Sequence, residues 1–429
     1  MKKKRITDFD TIVVGAGASG MAAAINAAAG KQTVLLIEKL ESMGKKILVT
    51  GNGKCNLTNL DQKPQYFRTE NPEELSLLLN KTCPENIRKF FYDMGIPTKE
   101  RNGYVYPYNE QASCVREALE ERILQNGHIT FLPETEVIEV KKQNTFFFVK
   151  TRSKKGKKEQ YNAISVIIST GGYAGPKFGC DGSGFRMAEE LGHDIIPPLP
   201  ALTALKSSAP FLKKVSGVRN QAAITLEING KAVAKEQGEL QWTDYGISGV
   251  AIFQLSHFAV IALENKEPVV LYFDFMPEFS EKEKRELLVT LKKENREKKM
   301  LLFTKGIFPA KLSPVILREA KIEGEKKVCE VAGEEWENYI SAFSHFPLKI
   351  KGYAGYEKAQ VTRGGVSLSN LDAHLESRIV PGLFFAGEVT DVDGICGGYN
   401  LHWAFSSGQK AGMAARERNQ QIYDTNCTD

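Results

Sequence analysis

The sequence predicts an α/β protein whose parallel sheet is split in the chain by a strand-rich region and a charged helical one. Three observations point there. Apolar runs at 11–14 and 33–37 flank an Ala-rich stretch at 19–29, the order expected of a strand–helix–strand unit in a buried parallel sheet. After Pro197-Pro198 and Pro200 the texture shifts to alternating apolar and polar residues up to about 275. A further apolar run at 380–386, followed by helical spacing over 400–417, then completes the first sheet from the far end of the chain.

In chain order, 72–95 and 111–126 read as helices, and 131–140 and 146–150 as strands. The run 166–169 is a buried strand ending at Thr170-Gly171-Gly172. Residues 202–275 read mostly as strands, with Asn229-Gly230 marking a hairpin. From Ser280 the pattern is helical and highly charged, and Glu283 stands at capping-box spacing. The expected division is 1–195 and 356–429 for the split nucleotide-binding domain, 196–278 for the strand-rich insert, 279–337 for the helical segment and 338–355 for a return through the insert.

Composition sets wide bounds. A chain of 429 residues, 42% hydrophobic and 25% charged, is neither disordered nor collagen-like and needs no disulfides to fold. Net charge is +5, too little over this length to argue for nucleic acid, which is not expected as a partner. The densest basic run, Lys150 to Lys158, reads as a solvated hairpin tip. Seven cysteines lack CxxC spacing, which fits a reducing cytoplasm, and no metal-ligand pattern occurs. Met1-Lys2-Lys3-Lys4-Arg5 ahead of an apolar stretch imitates a secretory signal, but Asp8 and Asp10 interrupt it. No run of 18 apolar residues occurs, so no membrane partner is expected.

Gly15-Ala16-Gly17-Ala18-Ser19-Gly20 is a GxGxxG turn between the first strand and its helix, and Glu38 ends the second strand 18 residues past Gly20. Gly15 permits a tight turn, Gly17 lets backbone approach a pyrophosphate, and Gly20 lets helix and strand pack closely. The helix N-terminus offers unpaired N–H groups to phosphate, and Glu38 can accept from ribose hydroxyls. This is a Rossmann-type dinucleotide site. The distal segment selects FAD over NAD: a strand ends in Ala386-Gly387-Glu388, and Asp391, Asp393, Gly394 and Gly397-Gly398-Tyr399-Asn400 lead into a helix. A second helix N-terminus aimed at the flavin pyrimidine edge would stabilise the negative charge that develops there on reduction.

The chain resembles a bacterial flavoprotein family that includes aminoacetone oxidases and 3-dehydro-bile-acid Δ4,6-reductases. The resemblance is carried by Gly44 to Asn59, Thr170-Gly171-Gly172 with Asp181-Gly182, Gly238 to Gly249, Gly364-Gly365-Val366 and Gly387 to Ala404. It implies a Rossmann-type FAD domain, an inserted β-barrel and a small helical subdomain. Cys396 and His402 stand where Thr and Gln are commoner in the family.

In the 44–59 segment, Gly44, Gly51 and Gly53 allow backbone to lie flat on a planar ring, and Lys45 and Lys46 can meet pyrophosphate. Asn56 and Thr58 offer hydrogen bonds to flavin or substrate. Cys55 reads as a flavin-packing residue, with a redox disulfide to Cys396 as the alternative. Ala18, Ser19, Lys39, Thr50, Val137, Asp391 and Leu401 complete the candidate cofactor set. Candidate catalytic residues are Asn56, Tyr245 and His402; Tyr245 and Ser248 either face the flavin or serve a barrel turn. His193, His257 and His345 read as structural. Phe253, Phe258, Tyr272 and Phe273 read as barrel core, with an apolar pocket as the alternative.

FAD held non-covalently, with its N5 exchanging a hydride with a small organic substrate under the barrel, is the expected chemistry. NAD(P)H-driven reduction of a conjugated C=C in a bile-acid or steroid-like enone comes first, with NAD(P)H as a transient donor. The alternatives are an amine oxidase using dioxygen, a tRNA-associated flavoprotein, and a flavin-bound sensor without turnover. Oligomeric state is not legible.

Overall fold

The computed structural model describes residues 7–80 and 82–425, so the basic Met1–Arg5 stretch and Cys427 lie outside the described residues. The chain divides into two compact units. The first runs up to Leu199 and resumes at Gln360; the second is Pro200–Ala359.

The first unit begins with β1 (Phe9–Val14), α1 (Ala18–Ala27) and β2 (Val34–Ile37). Helix α2 (Ala112–Leu124) leads to β3 (Ile129–Leu132), and β4 (Thr135–Gln143), β5 (Phe146–Ser153) and β6 (Lys158–Ile168) follow. β3, β2, β1 and β6 lie side by side and parallel. β6 is long enough to serve twice. Its first half pairs antiparallel with β5, and its last three residues pair parallel with a strand from the far end of the chain. Ile12, Val13, Leu35, Leu36, Val166 and Ile167 are all buried, which is why these strands read as continuous apolar runs. The 150–158 basic run is the β5–β6 tip, as its texture implies. Its charge is largely spent locally: Lys154 pairs with Glu134, Arg152 with Glu136 and Lys157 with Glu159.

The second unit contains β7 (Leu205–Lys206), β8 (Arg219–Ile228), β9 (Lys231–Trp242), β10 (Gly246–Ser248) and α3 (Val250–Glu264). β11 (Val269–Asp274), α4 (Glu281–Glu294), α5 (Glu334–Ser344), β12 (Phe346–Ile350) and β13 (Gly352–Tyr353) follow, and short helices lie among these elements. The sheet order is β12-β11-β8-β9-β10-β7-β13. β12 and β13 are separated only by Lys351, so the two ends of the sheet are one stretch of chain and the sheet closes as a barrel. The Asn229-Gly230 turn joins β8 to β9, and Ser280 and Glu283 form the expected capping box on α4.

One expectation fails here. Residues 250–264 form a helix inside the stretch read as strands, so Phe253 and Phe258 lie on α3. Eight of its fifteen residues are buried, so its composition is apolar almost all round. That removes the polar face by which an amphipathic helix is told from a strand. Tyr272 and Phe273 are on β11 as expected, Phe273 in the core and Tyr272 stacked on His345 at 3.9 Å.

The chain re-enters the first unit with β14 (Leu383–Phe385), which pairs with β6, and ends in α6 (Tyr399–Thr425). α6 lies on α1 at backbone distance. A Cβ at Gly408 would sit 2.2 Å from the Ser19 carbonyl oxygen, and one at Gly412 would sit 2.3 Å from that of Ala23. Only glycine at these two positions, one helical turn apart, permits that approach.

Candidate functional site

The first half of the site is the β1–α1 turn. Gly15 has φ +98, and a Cβ there would meet the Ser169 carbonyl at 2.7 Å. At Gly20 a Cβ would fall 1.8 Å from the Gly15 carbonyl oxygen, so close strand–helix packing requires glycine. Gly17 differs: nothing lies within 4 Å of where its Cβ would be. The turn therefore leaves open space over the N-terminus of α1, which has no side-chain cap and no acidic residue in its first turn. Ser19 is buried under α6, and Ala18 begins the helix. Ser169 Oγ donates towards the Val14 and Gly15 carbonyls at 2.9 and 3.0 Å, tying β6 to this turn.

Glu38 stands at the end of β2. Its carboxylate accepts from the Ala16 N–H at 2.8 Å and the Leu40 N–H at 3.0 Å, and burial pushes its pKa up against those two bonds. Lys39 pairs with Asp181 at 2.7 Å and Lys45 with Glu41. Val137 sends its side chain into the core at a β-bulge, so only its backbone is available to a ligand.

The second half comes from the end of the chain. Glu388 accepts from Lys46 Nζ at 2.7 Å and from the Thr362 N–H at 3.0 Å. Burial lowers the Lys46 pKa, but Glu388 beside it more than offsets that, so the ammonium form is favoured. Thr362 Oγ1 accepts from the Tyr173 and Ala174 N–H groups at 2.8 and 2.9 Å and thereby holds the turn after β6. A Cβ at Gly172 would strike Thr362 Oγ1 at 2.4 Å, so Gly172 is required by packing. Gly171 adopts φ +75 beside Cys180, and Thr170 fits against Gly184. Gly387 is clamped by α6: its N–H donates to Ser407 Oγ at 2.9 Å and its carbonyl accepts from Trp403 Nε1 at 3.3 Å.

Gly397 and Gly398 lead into α6, with φ of +126 and +94. The His402 N–H donates to the Gly398 carbonyl at 2.9 Å, and the N–H groups of Tyr399, Asn400 and Leu401 precede it without an i−4 partner. Facing this end is the 47–56 loop, where Gly51, Asn52, Gly53 and Cys55 all have positive φ. Thr50 closes its start by donating to the Ile47 carbonyl at 2.7 Å. Leu48 and Val49 are exposed there, at 38% and 51%. Asn56 is 8% exposed, and its Oδ1 has no hydrogen-bond partner among the described residues. A Cβ at Gly398 would come within 2.8 Å of that oxygen.

Several site candidates take other roles. His402 is fully buried, and burial pushes its pKa down to about 4, so it is neutral near pH 7. Its Nδ1 meets Thr58 Oγ1 at 2.8 Å, and its Nε2 faces Thr82 and Ser406 hydroxyls at 3.3 Å each. It positions the Thr58 segment and touches no open surface. Asp391 turns away to accept from Thr69 Oγ1 and the Glu70 N–H, at 3.0 and 2.7 Å. The Asn400 side chain is bonded both ways to the Gly394 backbone at 2.8 Å, and the Tyr399 ring packs on Tyr66 and Phe67. The Asn400 amide is thereby engaged, and both residues can offer a ligand their backbone N–H groups. Cys55 is buried, with its thiol pushed up to about 12, and neither it nor Cys396 is in a disulfide. The thiol-redox alternative has no support in this geometry. Tyr245 belongs to the second unit, 39% exposed at the β9–β10 turn.

Two uncapped helix N-termini, an open cradle at Gly17, an orphaned amide oxygen and an exposed apolar ledge therefore share one unit. The family described as HI0933-like protein Rossmann domain matches residues 9–414. The chain belongs to this family. A protein named 3-dehydro-bile acid delta(4,6)-reductase, from Clostridium scindens, is 37% identical over 95% of this chain and 98% of its own. A protein named ribosomal RNA dihydrouridine synthase, from Escherichia coli, is 30% identical over 93% of this chain and 96% of its own. Among solved structures, a 3-ketosteroid-delta4-(5alpha)-dehydrogenase from Rhodococcus jostii matches at TM-score 0.52 and 17% identity, covering 97% of this chain and 98% of that one. A flavocytochrome c3 fumarate reductase matches at 0.51 and 15%, covering 96% and 78%. At these identities the two structures establish a shared Rossmann-type fold. Taken with its relatives, this HI0933-like chain is an FAD-dependent oxidoreductase. Among the described residues no helix is long and apolar enough to cross a membrane.

Ser407 and Thr362 escaped the sequence reading, and Trp403 entered it only as part of the Gly387 to Ala404 motif, with no role assigned. The signal for Trp403 and Ser407 lay in α6 itself, where they follow the Gly-Gly-Tyr-Asn turn at one-turn spacing.

Proposed function

We propose that this protein uses FAD to add hydrogen across a ring C=C conjugated to a carbonyl. One observation carries the reading: two relatives matched over nearly the whole chain bear names for additions of that single kind, one to a bile acid and one to an RNA base. Bound FAD supplies a hydride.

The residues present fit that cofactor. Gly17 and the N-terminus of α1 would receive the pyrophosphate, and Glu38 the adenosine ribose. The Lys46–Glu388 pair would border the chain between the two halves of the cofactor. The N-terminus of α6, with Asn56, would meet the flavin pyrimidine edge, where a helix dipole favours negative charge. Leu48 and Val49 would lie along the ring and exclude water. Neither His402 nor Cys55 is in a state to move a proton at neutral pH. The proton that completes the addition would come from solvent.

The first substrate reading is a steroid-like enone, favoured by the higher identity of the bile-acid relative, with NAD(P)H as electron donor. Anaerobic mixing tests it. NADH or NADPH should bleach the flavin, and a 3-oxo-4-ene steroid acid should restore its colour. Bleaching only by an amine such as aminoacetone, with recolouring only by dioxygen, overturns it. The second reading, an RNA uridine, is favoured by the dihydrouridine synthase relative and predicts recolouring by a uridine-containing RNA.

A further inference from the structure

Net charge hides an uneven surface. In the second unit, residues 205–226, 300–318 and 346–356 contain no Asp or Glu. These segments meet on one rim of the barrel. β7 pairs with β13, and the Lys351 N–H donates to the Lys206 carbonyl at 2.9 Å. Six residues beyond Lys206 begins the short helix Leu212–Val215, which carries Lys213 and Lys214. Just after it, the Ser216 carbonyl accepts from Lys311 Nζ at 3.3 Å.

Lys206, Lys213, Lys214, Lys311 and Lys351 are all exposed. Among the described residues none of the five has a carboxylate within ion-pair distance. The contrast with the β5–β6 tip is direct, because there Lys154, Arg152 and Lys157 are each matched by a glutamate. Unmatched lysines on a contiguous rim repel one another and raise the local potential for an anion with several charges. An aromatic ring lies in the same place. The Ser207 N–H donates to the Tyr245 carbonyl at 3.0 Å, which sets the exposed Tyr245 beside Lys206.

We propose that this rim, from Lys351 through Lys206 to Lys213, Lys214 and Lys311, docks the phosphate backbone of RNA, with Tyr245 available to stack an unpaired base. Charge complementarity argues for a polyanion, and a ring among the lysines favours one that carries bases. The choice of RNA rests on the uridine reading. The rim lysines belong to the second unit and the residues assigned to FAD to the first, so docking and reduction can fail separately.

The test is fluorescence-anisotropy titration of the full flavin-loaded chain with a labelled RNA hairpin bearing unpaired uridines, over a series of salt concentrations. Each phosphate contact contributes roughly 0.7 to 0.9 to the slope of log affinity against log salt. The K206E/K213E/K214E/K351E variant should therefore lose a slope of about 3 and bind at least roughly 10-fold more weakly at low salt. Its flavin content and its reduction of a small enone should match those of the parent. A parent that fails to bind the hairpin at low salt, or a variant with unchanged slope, overturns the proposal. Equal competition by polyglutamate or by phosphatidylserine vesicles also overturns it, as that would make the rim a general anion surface. If RNA binds but no flavin reduction by NAD(P)H occurs, docking stands and the reductase reading falls.

Discussion

Replacing Gly408 by alanine tests how the two halves of the site are held in register. The added Cβ would lie 2.2 Å from the Ser19 carbonyl oxygen and 3.0 Å from the Ser19 Cα. Both neighbours are backbone at the start of α1, so neither can rotate away. Ordinary contact between carbon and oxygen needs more than 3 Å, so α6 must move off α1 by about 1 Å. Overpacking of this kind costs about 1 to 3 kcal/mol. For a unit of this size that corresponds to a Tm roughly 2 to 6 °C lower. The shift also separates the N-termini of α1 and α6, so FAD affinity should fall with stability. The assays are differential scanning calorimetry and FAD titration of the apoprotein. Met413→Ala, 38% exposed on the same helix, is the control and should stay within about 0.5 kcal/mol of the parent. A G408A protein with unchanged Tm and FAD affinity would refute the claim that this contact sets the site.

Three further outcomes follow from the same geometry. Gly17→Val should fold with apoprotein stability, because no atom lies within 4 Å of its Cβ, yet lose FAD retention on gel filtration. His402 has its folded pKa depressed to about 4 from an unfolded value near 6.5, so its contribution is present above pH 6.5 and is lost as pH falls towards 4. Urea unfolding at pH 7 and pH 5 should show His402→Gln escaping about 2 kcal/mol of the acid destabilisation seen in the parent. Cys55→Ser should keep its flavin reducible by NAD(P)H, and the parent Cys55 should resist iodoacetamide at pH 8 until the chain is unfolded, as befits a thiol pushed up to about 12.

The β1–α1 turn was legible because its evidence is local. Gly15, Gly17, Gly20 and Glu38 fall within one strand–helix–strand unit, and each does there what its residue type allows. Residues brought in from a distance were legible as motifs but not as roles. Asp391, Asn400 and Tyr399 sit in a telling run, yet their side chains are turned into hydrogen bonds and packing within the fold. Gly172 reads as a cofactor glycine, and the packing demand placed on it by Thr362, 190 residues away in sequence, was not legible. α3 was hidden because a helix that is apolar almost all round has no polar face to reveal its period. Gly408 and Gly412 carry the signature of close helix packing, but sequence alone does not name α1 as the partner.

FAD titration of the purified apoprotein, read by the flavin absorption band and by the flavin-to-chain ratio after gel filtration, tests the central claim most directly. One FAD held tightly per chain in the parent, and none in Gly17→Val, is the expected result. A folded parent that stays colourless with FAD in excess would contradict the assignment of α1 and α6 to a common cofactor.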